Sequence, residues 1–221
     1  MHPMTRSRFG MTVIVLALTL STVGCSTNLR TGALGGAAAG AAIGGLASGS
    51  ARGAIIGAAI GGAAGAAIGG VMDSQAEDLQ DKLPNAKVER VGEGIQVTFD
   101  SGILFDVNQA LLRSAAQQNL SDLVASLEEY EGTDVLVVGH TDATGEASYN
   151  QGLSERRADA ARTYLLGAGL DTDRVRAMGM GEEEPVDTND TDAGRQANRR
   201  VEVAIFASEA MQQEMLRRHG G

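Results

Sequence analysis

GHTDATGEASYNQGLSERRA, residues 139–158, follows the short apolar run Asp134–Val138 and leads into a helical pattern. The apolar run reads as a buried strand and the pattern after it as a helix from about Glu146 to Leu166, closed by Gly167 and Gly169. Within that helix Leu153, Arg157, Ala161 and Leu165 recur four apart and share one face. Three of the four are apolar. An arginine inside such a stripe needs an acceptor, because an unpaired buried charge costs several kcal/mol, on the order of 3–5. Asp142 sits at the end of the preceding strand, and the loop between is short. The two charges are therefore expected to lie close together. Two readings stay open on spacing alone: an internal salt bridge that orients the loop, or a grip on a guest that carries both an ammonium and a carboxylate. Asp106, in Leu104-Phe105-Asp106, follows a strand-like segment and is expected at the same edge.

Further from that centre, Ala86–Arg90 and Ile95–Phe99 alternate around Gly92 and Gly94, which predicts a hairpin. Asn108–Tyr130 carries apolar residues at helical spacing. Val175–Met178 and Val201–Phe206 read as the last strands, and 207–218 as a terminal helix. Strand, helix, strand, helix, strand is the order of a split βαβ sheet. The fold class expected is α+β, with a mixed sheet and helices on one side. Ser74–Leu83 reads as a short helix or connector ending at Pro84, and Glu182–Asp192 as an acidic loop.

The stretch resembles the OmpA-like peptidoglycan-binding domain, whose pattern of GHTD, G, YN, LS and RA falls here on Gly139-His140-Thr141-Asp142, Gly145, Tyr149-Asn150, Leu153-Ser154 and Arg157-Ala158. The resemblance runs from about Ile95 to Phe206. It implies that Arg157 takes the carboxylate of diaminopimelate in the wall's stem peptide and that Asp142 and Asp106 take its ammonium. It also places Phe105 and Leu153 at the site through backbone contacts, with Thr141 and Asn150 beside it. Arg199 and Arg200 match the family's NRRVEV ending, as ligand groups or as support for the fold. The family often has Val where Ala161 stands, a difference that touches packing and not the ligand groups.

Residues 31–71 are almost entirely Gly, Ala and Ile. Glycines recur every fourth residue in two sets, Gly32 to Gly44 and Gly53 to Gly69, with a register slip near Ser48-Gly49-Ser50. In water each glycine costs a helix ~1 kcal/mol relative to alanine. In lipid the helix is enforced and small residues let backbones approach closely. The segment resembles a glycine zipper, expected as a helical hairpin over 31–72 that packs near the membrane or joins copies into a homo-oligomer; a flexible linker is the alternative.

Ahead of it, Arg6, Arg8 and the apolar Met11–Leu20 read as an export signal over residues 1–24, too short to span a bilayer. Cys25 follows in a lipobox-like Leu20-Ser21-Thr22-Val23-Gly24-Cys25, with Thr22 where leucine is usual. Lipidation of Cys25, a tether over 25–30 and, from Ser26, sorting to the outer membrane are the expectation; an ordinary signal peptide is the alternative. Removing residues 1–24 takes away two arginines and no acid, so the formal charge moves from −10 to −12. The domains expected are thus 31–72 zipper, 73–85 linker, 86–207 wall-binding domain and 208–221 C-terminal helix or tail.

An acidic chain is a poor match for nucleic acid, which needs clustered Lys and Arg. One cysteine makes no internal disulfide. Three histidines, two of them terminal, supply no metal site, and the acidic loop lacks calcium-loop spacing. No cofactor is expected. No Ser-His-Asp arrangement is visible, and an Asp142 held ionised by a cation makes a poor general acid, so the chain is expected not to be an enzyme; a wall hydrolase is the weaker rival. The expected function is an outer-membrane lipoprotein tethering the envelope to peptidoglycan. The alternative is a glycine-zipper membrane oligomer or pore, positioned by its wall-binding domain.

Overall fold

The computed structural model describes residues 50–219. Cys25, the signal and the first glycine set lie outside the described residues. The chain forms α1 (Ala51–Ala58), α2 (Gly62–Lys82), β1 (Ala86–Val91), β2 (Gly94–Asp100), the short α3 (Ser101–Leu104), α4 (Ser114–Glu129), β3 (Thr133–Gly139), α5 (Ala147–Gly167), β4 (Val175–Gly179), α6 (Asp192–Asn198), β5 (Arg200–Ala207) and α7 (Glu209–His219). The strands make one five-stranded sheet in the order β1-β2-β5-β3-β4. Only β3 and β4 run parallel, joined by α5 as a crossover.

Register follows from burial. Val97 pairs with Val203, Val203 with Val137, and Val137 with Ala177, one row across four strands. With Ile95, Phe99, Val135, Val201 and Ile205 this row makes the core face, against which α2, α4, α5 and α7 pack. α2 contributes Ile68, Met72, Ala76 and Leu79, a helical stripe at three- and four-residue spacing. The α+β fold with a mixed sheet is as expected, and the four longest helices share one side.

The other face is covered too. Leu136, Val138, Ala204 and Phe206 point away from the core and take up α1 through Ala51, Ala54, Ile55 and Ala58. Gly94 makes room for this: a Cβ there would lie 2.6 Å from Ile55 Cγ2. The second glycine set is therefore not one continuous zipper helix. It breaks at Ala59–Gly61, where Gly61 adopts φ 67, ψ −176, a region open essentially to glycine alone. The Glu93 carboxylate holds the break by accepting from the Ile60 and Gly61 N–H groups at 2.8 and 2.7 Å. α1 and α2 then lie on opposite faces of the sheet and form no hairpin between them. No helix among the described residues is long and apolar enough to cross a membrane.

Two boundaries differ from expectation. α2 runs unbroken through the expected 72/73 boundary, because its apolar stripe continues to Leu79. Helix α4 starts at Ser114, not near 108, since Asn108 takes φ 56 and Phe105 bridges Leu112; Leu111 is left exposed. The expected terminal helix forms as α7, and its Met211 and Met215 pack on the core.

Candidate functional site

Gly139 and Gly179 are partners at the ends of the parallel strands β3 and β4. A Cβ on Gly139 would come within 2.3 Å of the Ser154 carbonyl oxygen, and one on Gly179 within 2.3 Å of the Glu155 N–H. The two bare positions let the first turns of α5 lie directly on the strand ends. Ser154 fixes the contact, its hydroxyl accepting from the Gly181 N–H at 2.8 Å. Gly145, at φ 95, turns the chain between the strand and this helix. Asp142 and Arg157 thereby reach one cleft of ≈ 600 Å³, together with Phe105, Asp106, Thr141, Asn150 and Leu153.

Asp142 is 8% exposed. One carboxylate oxygen accepts from the Thr144 N–H at 2.9 Å, an Asx turn, and the other accepts from Arg199 Nη1. Burial alone would push its carboxyl up; the hydrogen bonds from Arg199 and Thr144 outweigh it and hold the group below the usual carboxylate range. Asp142 is therefore ionised near neutrality.

Arg157 is 4% exposed, yet no carboxylate among the described residues pairs with it. Its Nε donates to the Gln109 carbonyl at 3.0 Å, and its guanidinium carbon lies 5.4 Å from the Phe105 ring centroid. Desolvation lowers its pKa, although a guanidinium stays charged at any ordinary pH. The internal Asp142–Arg157 salt bridge, open on spacing, is not formed.

Asn150 braces the loop, its amide donating to the carbonyls of Asp142 and Thr144 at 3.2 Å each and to Glu182 at 2.6 Å. Thr141 is buried with its hydroxyl unpartnered. Asp106 sits at the rim, its side chain 75% exposed and 3.6 Å from Arg113. Its carboxylate is the least committed of the expected site residues.

Arg199 is the residue that sequence reading left undecided. The Arg199–Arg200 pair divides its work. Arg199 lines the cleft and holds Asp142. Arg200 turns to the second sheet face, where it pairs with Glu202 at 2.7 Å, both side chains 6% exposed. Arg199 is the C-cap of α6 and stands just ahead of β5, so strand alternation begins only at Arg200. Arg195 and Gln196, one turn back on α6, line the same cleft and gave no such cue.

His140 is fully buried with neither ring nitrogen hydrogen-bonded, and desolvation, helped by Arg200, lowers its pKa to about 3. Its folded-state pKa lies below the unfolded value of 6.5, so the unfolded chain binds the extra proton between those limits. Stability should accordingly fall on acidification below pH 6.5, with a limiting slope of about 1.4 kcal/mol per pH unit from this residue. Chemical denaturation at pH 7, 6 and 5 checks this: His140→Leu should flatten the loss, and an unchanged slope would assign it elsewhere.

The OmpA family model matches residues 104–199, and the YMGG-like Gly-zipper model matches residues 4–73. The probable lipoprotein YiaD of Escherichia coli is 36% identical over 136 residues, 61% of this chain and 62% of that protein. Outer membrane porin F of Pseudomonas fluorescens is 38% identical over 53% of this chain and 35% of its own length. The chain thus spans less than two thirds of these curated relatives. Among solved structures, the cell wall anchor of the T6SS from Pseudomonas aeruginosa shares 34% identity at a TM-score of 0.56, over 61% of this chain and 97% of that one. A MotB-like protein from Desulfovibrio vulgaris, 22% identical with a TM-score of 0.60 over 65% of this chain and 96% of that one, shares the fold. The cleft residues from Phe105 to Arg199 all fall within the matched range, and the chain belongs to the OmpA family, with a YMGG-like glycine-zipper segment ahead of the domain.

Proposed function

We propose that this chain is an outer-membrane lipoprotein that holds peptidoglycan without covalent chemistry. The carrying observation is Arg157: a buried guanidinium with no carboxylate paired to it among the described residues, opening on a cleft beside an ionised aspartate. A buried charge left in that condition suits a guest that brings the missing anion. The free amino-acid end of diaminopimelate brings a carboxylate for Arg157 and an ammonium for Asp142. Thr141 and the rim carboxylate of Asp106 add further polar groups. A relative named a probable lipoprotein and a solved cell wall anchor support the reading. Lipid on Cys25 would fix the other end, and two attachments on one chain raise effective concentration, so a modest wall affinity suffices. The rival, a zipper-driven membrane assembly, rests on residues 31–71, of which 31–49 lie outside the described residues.

Co-sedimentation with purified sacculi tests the assignment. Asp142→Ala should lose pelleting while its circular dichroism stays native. Pelleting equal to that of the unmodified protein would sink the site.

A further inference from the structure

A second cleft, of ≈ 670 Å³, opens on the other face of the sheet. Most of its lining lies outside the range that the OmpA family model matches; Glu184, Val186, Gln196 and Ala197 lie inside it. α1 supplies Arg52 as one wall, and β1 and β2 supply Lys87, Glu89, Gln96 and Thr98. Its floor is polar and buried: Gln96, Arg200 and Glu202 are each 95% or more covered. Arg52 Nε donates to the Gln96 side chain at 2.9 Å, so the docked glycine-segment helix completes the cavity.

The two clefts share a wall. Gln196 lines both. Its side chain donates to Asp100 on the second-cleft side and accepts from Arg199 on the other, and Arg199 in turn holds Asp142. A guest lying over Gln196 would therefore pass from one cleft to the other.

The chemistry of the second cleft narrows that guest. Most of its charges are paired: Arg200 with Glu202 at 2.7 Å, Lys87 with Glu89 at 2.9 Å, and Arg52 with the same Glu89 at 3.5 Å; Asp100 accepts from the Gln196 side chain and the Gly102 N–H, and Glu184 makes no ion pair among the described residues. Paired charges offer an ion little, but they present many donors and acceptors to a neutral ligand. Val186 is the one large apolar side chain in the lining, and the rest of the carbon surface belongs to the stems of polar and charged side chains. A saccharide bearing hydroxyl and amide groups matches. A wall stem peptide reaches its sugar within about three residues, or about 10 Å of extended chain.

We propose that the second cleft is a saccharide subsite, occupied by the sugar of the same muropeptide whose diaminopimelate end sits at Asp142 and Arg157. This inference rests on the wall-binding reading of the first cleft. It makes the glycine-segment helix part of the recognition surface, a role distinct from membrane packing.

Calorimetric titration of the full-length protein in detergent tests it, with two probes: a diaminopimelate-ending stem peptide, and the same peptide carrying its disaccharide. The disaccharide form should bind about tenfold tighter, the effect of one or two added hydrogen bonds. Thr98→Phe, which fills the second cleft opposite Glu202 in the strand register, should bring the two affinities together while leaving the bare peptide unchanged. Binding of the bare peptide is thus the internal control for folding. Arg52→Ala should narrow the ratio without new bulk. Equal affinities in the unmodified protein, or a Thr98→Phe loss shared equally by both probes, overturns the subsite while leaving the first cleft standing. If neither probe binds, the wall-binding reading fails and the subsite fails with it.

Discussion

Arg157→Ala is expected to lose sacculus binding by 100-fold or more while the domain remains folded. A ligand carboxylate on a guanidinium fork makes two charge-assisted hydrogen bonds at ~1.5–3 kcal/mol each, so the loss is on the order of 3–6 kcal/mol. The same substitution removes no ion pair from the free protein, because Arg157 has none among the described residues. It gives up one hydrogen bond to the Gln109 carbonyl and the stacking on Phe105. Binding and stability therefore separate: co-sedimentation disappears, whereas the melting temperature drops by only a few degrees. Arg157→Lys should keep the charge and lose the fork, and is expected to rescue only part of the affinity. If Arg157→Ala pellets with sacculi at the usual concentration, the guanidinium does not hold the ligand.

Gly139→Val is the second large effect, and it acts through the backbone. The added Cβ meets the Ser154 carbonyl oxygen at 2.3 Å, and neither group is the end of a flexible side chain. The first turns of α5 must lift off β3 and β4. Overpacking of this kind costs about 3 kcal/mol or more, which lowers the melting temperature by about 10 °C in a domain of this size. Arg157 stands one turn beyond Ser154 on the lifted helix, so wall binding should fall as well. Differential scanning calorimetry and co-sedimentation on the same sample check both parts. A variant that melts as the unmodified protein does would show that the glycine is not required for the close approach.

These two residues also mark what could be read in the sequence. Gly139, Asp142, Gly145 and Arg157 were legible because their spacing is rigid: a strand end, a turn and a helix face fix each one. The interior strands were legible because Val135–Val138 and Val201–Phe206 are buried throughout and, Glu202 apart, apolar. Helix α1 was not legible. It is only eight residues long and set inside a Gly/Ala period, and the face that accepts it comes from β3 and β5, more than 70 residues away. The glycine period invited a zipper reading, but part of it serves the domain itself. Gly65 leaves the space that Glu93 fills, since a Cβ there would touch the carboxylate. Leu111 continued the apparent period of α4 although the chain there is still turning. Arg199 needed the end of β5 to be placed before its side could be assigned.

The account depends on opposite charges meeting one guest in the cleft at the ends of β3 and α5. A crystal structure of the protein soaked with a diaminopimelate-ending stem peptide measures this directly. The ligand carboxylate is expected within hydrogen-bond distance of the Arg157 guanidinium, and its ammonium on the Asp142 carboxylate. A peptide seated elsewhere, or a cleft that stays empty at saturating ligand with Arg157 still on the Gln109 carbonyl alone, would contradict it.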